Sequence, residues 1–95
     1  MKYFAWNPEK NARLKQERGV GFEAVVFHIE RGGLLDIRQH PNQARYSGQR
    51  ILVVNIDDYA YLVPVVEGEG EVFLKTIIPS RKATNIYLRR RREDG

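Results

Sequence analysis

Two runs rich in β-branched and aromatic residues, 50–56 and 59–66, are separated only by Asp57-Asp58. So short a connection between two strand-like runs predicts an antiparallel hairpin, and the rest of the fold has to be built around it. Pro64 falls inside the second run, where it cannot donate a ladder hydrogen bond, so that strand needs an edge or a bulge at this position. Glu67-Gly68-Glu69-Gly70 reads as a second turn leading into a third run, 71–78, which makes a three-strand meander.

The flanking segments carry helical signals. Asn7-Pro8-Glu9 supplies an N-cap, a proline at the first helical position and an acid in the first turn, and Gly19 marks the end of this helix near Arg18. Its apolar stripe is narrow, mainly Ala12 and Leu14. Phe22, Val25, Val26 and Ile29 recur at i, i+3, i+4 and i+7, the pattern of a helix packed on a sheet, and Gly32-Gly33 closes it. Residues 2–6 and 34–37 suit short strands, while 39–48 is polar, contains Pro41 and reads as a loop. After Pro79, Ser80 can cap a final basic helix in which Ala83, Ile86, Tyr87 and Arg90 repeat at helical spacing. The order β-α-α-β-β-β-β-α predicts an α+β domain spanning 1–95: an antiparallel sheet of four to five strands, two N-terminal helices and a C-terminal basic helix.

With 95 residues there is room for one core. The absence of cysteine excludes a disulfide framework and a cysteine zinc site. The apolar start of the chain is too short for a signal peptide, and the longest apolar run is broken by Pro64, so a soluble cytoplasmic protein with no membrane partner is expected. Charge is the more informative quantity. Residues 1–80 hold ten basic and ten acidic side chains, so the net charge of +4 lies in 81–95, where Arg81, Lys82 and four arginines at 89–92 face only Glu93 and Asp94. Arg81 and Lys82 would stand in the first turn of the last helix, beside unpaired backbone N–H groups, an arrangement suited to phosphate. A basic terminal helix therefore points to a polyanion or to an acidic protein; a merely solvated tail is the plainer reading for residues 89–92.

Trp6-Asn7-Pro8-Glu9-Lys10-Asn11, Gly19-Val20-Gly21-Phe22-Glu23-Ala24 and Ser80-Arg81-Lys82-Ala83-Thr84 occur in order along nearly the whole chain. Together they resemble the BrnT family of bacterial toxins. The resemblance implies a RelE-like fold, ribonuclease activity that arrests growth, and a place in a type II toxin–antitoxin pair. It also implies a cognate antitoxin with a ribbon-helix-helix DNA-binding domain, through which alone the toxin would meet operator DNA. The chain departs from the usual family pattern at Gly21, where a capping Ser is common, and across residues 40–50.

Metal-independent RNA cleavage needs a base for the 2′-hydroxyl, an acid for the leaving 5′-oxygen, and cations around the phosphate. Candidate catalytic residues are Arg81, Lys82 and Arg50 for phosphate stabilisation, with His40, Tyr46 and Tyr61 for proton transfer. Lys75, Arg45, Thr84, Arg89 and Arg90 are candidate RNA-binding residues. Plainer roles compete: Lys75 can snorkel at a sheet edge, His40 can sit idle in a polar loop, His28 can be structural, and Tyr59 and Tyr61 can pack in the core. No cofactor or metal is expected. Asp57 and Asp58 are adjacent and better suited to shaping a turn than to chelation, and no Gly-rich phosphate loop precedes a Lys-Ser or Lys-Thr pair. The rival functions are a non-catalytic nucleic-acid-binding module and an interaction domain that docks an acidic protein.

Overall fold

A computed structural model describes residues 3–45 and 48–89. The central hairpin forms as the sequence predicts: β3 (Gln49–Ile56) and β4 (Tyr59–Gly68) pair antiparallel from Gln49–Val66 to Ile56–Tyr59. Both turn residues take left-handed backbone, Asp57 at φ 53° and Asp58 at φ 68°. This is the two-residue geometry whose twist matches the flanking strands.

β2 (Leu34–Gln39) lies on the outer side of β3, with a register shift at Leu35; β5 (Glu71–Leu74) lies on the other side of β4. The sheet is mixed where an antiparallel one was expected, because β1 (Tyr3–Trp6) pairs with β5 in parallel, giving the order β1-β5-β4-β3-β2. The N-terminal strand closes the edge that the meander leaves at β5, and two helices separate it from the other strands in sequence.

Pro64 explains a second difference. Its carbonyl accepts the Lys75 N–H at 2.9 Å. The N–H that proline lacks would face the same side, so the outer ladder of β4 breaks there. The third run accordingly ends as a strand at Leu74 and resumes as β6 (Ile78–Pro79), paired to Tyr61 and Leu62.

Helices cover both faces. α1 (Pro8–Arg18) and α2 (Phe22–Glu30) lie on one, where Leu14, Phe22 and Val25 bury against Leu52, Val54, Ile56, Val63, Val65, Leu74 and Ile77. Trp6 stacks on Phe22 at 5.8 Å between ring centroids. In α1 the buried pair is Asn11 and Leu14, and Ala12 is exposed. The Asn11 Oδ1 accepts the Phe22 N–H at 2.7 Å, replacing the cap that Gly21 cannot provide for α2.

On the opposite face the terminal helix begins as α3 (Arg81–Thr84) and widens into a π-turn, Asn85–Arg89. Its buried side is Ala83 with Tyr87 and Leu88 over Val53, Ala60, Leu35 and Leu62, not the Ala83–Ile86–Tyr87 stripe of a regular α-helix. Among the described residues no helix is long and apolar enough to cross a membrane.

Candidate nucleic-acid interface

The junction between β6 and α3 is tightly built. The Ser80 N–H donates to the Ala60 carbonyl at 3.0 Å, and its hydroxyl oxygen accepts the Ala83 N–H at 3.0 Å. Thr84 completes the lock: its Oγ1 accepts the Ala60 N–H and donates to the Ser80 carbonyl, both at 2.8 Å. With 2% of its surface exposed and its hydroxyl engaged in both directions, Thr84 has nothing left to offer RNA.

Arg81 and Lys82 project from this rigid junction into solvent, with no hydrogen-bonding or ion-pair partner among the described residues. Because α3 is four residues long, its dipole adds little. What the fold supplies is two solvated cations at a fixed place. Lys75 is also exposed and joins them along the β4 edge, since Lys75 stands beside Pro64 and Ser80 beside Ala60, about 13 Å apart at strand spacing.

The remaining sequence candidates divide among other places. His40, Arg45 and Arg50 lie around the β2–β3 connection. The His40 Nδ1 accepts the Asn42 N–H at 3.1 Å, the Arg45 N–H donates to the Asn42 Oδ1 at 3.2 Å, and the Arg50 Nη1 meets the Glu67 Oε1 at 3.3 Å. Arg50 pairs with Val65, five residues along β4 from the Ala60 that holds Ser80, so the two groups sit about 17 Å apart along the sheet. Tyr61 packs on the α1–α2 face, its ring edge-to-face with Tyr59 at 5.6 Å, away from the terminal helix. Arg89 is engaged by Asp58, Nη1 to Oδ2 at 3.0 Å. Tyr46 and Arg90 lie outside the described residues.

One polar cluster has no counterpart in the sequence reading. The Tyr87 hydroxyl donates to the Asp36 Oδ2 and accepts from the Arg38 Nη2 at 2.7 Å, while the Arg38 guanidinium lies 5.2 Å from the Tyr87 ring centre. The Tyr87 hydroxyl, the Ile37 N–H and the nearby Arg38 hold the Asp36 carboxyl below the ordinary aspartate value, the phenol most strongly. Tyr87 lies 51 residues from Asp36, and only the register of β2 against β3 brings them onto one face. No short sequence motif could have signalled that.

Among the described residues no three His, Asp or Glu side chains gather into a metal-ligand set, and no enclosed pocket forms. A ligand at Lys75, Arg81 and Lys82 would lie on open surface. The class this architecture defines is an α+β protein: a mixed sheet with helices on both faces and a cationic edge. No family model, no curated protein and no solved structure matches the chain.

Proposed function

We propose that the chain is the toxin of a type II toxin–antitoxin pair, a metal-independent endoribonuclease of the BrnT kind. It acts on RNA in the cytoplasm and is silenced by a cognate antitoxin bearing a ribbon-helix-helix domain. The observation that carries the reading is the group of exposed cations Lys75, Arg81 and Lys82, fixed along one sheet edge without acidic partners among the described residues. Sequence resemblance supplies the toxin class, and the cations supply what a scissile phosphate needs. In the reaction the 2′-oxygen attacks phosphorus as its proton passes to a base, and the 5′-oxygen leaves with a proton from an acid. Arg81 and Lys82 stabilise the charge that grows on the phosphate between these events.

A binding module without cleavage is the second reading. It is favoured by the separation of His40 and Tyr61 from Arg81 and Lys82. One experiment separates the two: brief induced expression of the parent and of an Arg81→Ala/Lys82→Ala variant at matched soluble levels, followed by RNA integrity and growth. The toxin reading expects fragmented RNA and arrest with the parent only. Intact RNA with normal growth in both would sink it, and equal fragmentation in both would remove Arg81 and Lys82 from the mechanism.

A further inference from the structure

As far as Arg89, the terminal helix covers only part of its face of the sheet. Past Leu62, the same face continues through Ile51, Pro64, Val66 and Phe73 to Tyr3, as the cross-strand partners Ile51–Pro64, Val66–Phe73, Ala5–Phe73 and Tyr3–Glu71 require. Among the described residues none of these side chains belongs to either packed cluster; Ile51, Pro64, Val66 and Phe73 are half-buried, and Tyr3 is 65% exposed. The result is a half-buried apolar strip, aromatic and most exposed toward β1, running beside the described part of the terminal helix.

Cations flank this strip on one side: Lys75 stands beside Pro64, and Arg81 and Lys82 follow β6. Arg38, the cross-strand partner of Ile51 on the other side, is already shared between Tyr87 and Asp36. Two carboxylates lie on the same face: Asp36 is already bonded to Tyr87, and Glu71 pairs with Tyr3. Flat apolar ground bordered along one side by positive charge suits a chain of phosphates carrying flat apolar rings, provided those rings are not paired with a second strand. We infer that this strip is a stacking platform for the unpaired bases of single-stranded RNA, reading out strandedness while the rim cations hold the backbone. The inference rests on the reading that the chain binds RNA, and it adds a second surface to the cationic edge.

The test uses the full chain and a short fluorescent RNA with 2′-O-methyl riboses, which cannot be cut, followed by anisotropy. The same RNA as a duplex and inorganic polyphosphate serve as further probes. Tyr3→Ala and Phe73→Leu should each weaken single-strand binding roughly tenfold, the size of one lost stacking contact. Both should leave polyphosphate binding and the duplex signal where the parent has them. Tyr3 is exposed, so its variant should keep the parent's thermal midpoint, and Phe73→Leu serves as a second variant that keeps apolar bulk. Arg81→Ala/Lys82→Ala should weaken all three probes together and flatten the salt dependence. If the parent binds the single strand and both strip variants bind it equally well, the platform is wrong and the RNA reading stands. If the parent binds no RNA, both fall. A parent that is dimeric and becomes monomeric on Tyr3→Ala would make the strip an interface between copies and overturn the proposal.

Discussion

Asn11 shows how much one side chain can decide. It is 6% exposed, its Oδ1 accepts the Phe22 N–H, and its Nδ2 donates to both Glu23 oxygens at 2.9 and 3.0 Å. Asn11→Ala would leave the buried Phe22 N–H without a partner, a loss of about 1–3 kcal/mol that chemical denaturation should register. Gly21 belongs to the same arrangement. A Cβ there would come within 2.7 Å of the Asn11 Oδ1 and 2.6 Å of the Lys15 Cε, so Gly21→Ala should displace the same bond and lower stability in the same direction. Legibility at this scale is uneven. The Asn7 cap was readable because it acts within its own helix, and its Oδ1 does accept the Lys10 N–H. Asn11 was not, because its burial is set by a donor eleven residues away, and Ala12 looked the better candidate on hydrophobicity alone. Arg81 and Lys82 were legible as exposed cations, whereas their distance from Arg50 depends on strand register.

At the level of elements, the turn Asp57-Asp58 ties the two faces of the sheet together. Asp57 approaches the His28 Nε2 of α2 at 3.7 Å, while Asp58 holds Arg89 at the end of the terminal helix. The hairpin itself was plain in the sequence from two matched runs and a two-residue gap. The split of the third strand followed from Pro64, which was recognised as a break but read as an edge or bulge. The change from α to π after Thr84 carries no sequence mark. For the terminal helix, Thr84→Val keeps the volume but removes the acceptor for the Ala60 N–H, so it should cost about 1–3 kcal/mol. If the side chain serves the fold alone, RNA cleavage per folded molecule should stay at the parent level, measured beside the fraction folded at each temperature.

At the scale of the whole molecule, two carboxylates on opposite faces should contribute to acid sensitivity. Hydrogen bonds from Asn11 and the Glu23 backbone, with help from Lys15, hold Glu23 below its ordinary 4.5; Tyr87 above all holds Asp36 below its ordinary 3.8. A carboxyl whose folded value is depressed contributes stability above its unfolded value and loses it as pH falls through the folded one. Urea midpoints should therefore be level above these ordinary values and fall as pH drops below them. Tyr87→Phe should flatten the Asp36 part of that fall, and an unchanged slope would remove Asp36 from the account.

The parallel pairing of β1 with β5 has a kinetic consequence. Tyr3 meets Glu71 and Trp6 meets Leu74, partners near opposite ends of the described chain, whereas β3 and β4 close over two residues. Closing the longer loop costs more chain entropy before any contact repays it. The hairpin should thus be present at the rate-limiting barrier and the β1 seam absent from it. Ala5→Gly should then speed unfolding while leaving the refolding rate nearly unchanged, and Val53→Ala should slow refolding, the two limbs being separable in stopped-flow chevrons. During synthesis β1 must wait for residues 71–74 to emerge, so this seam of the sheet stays open until β5 has been made.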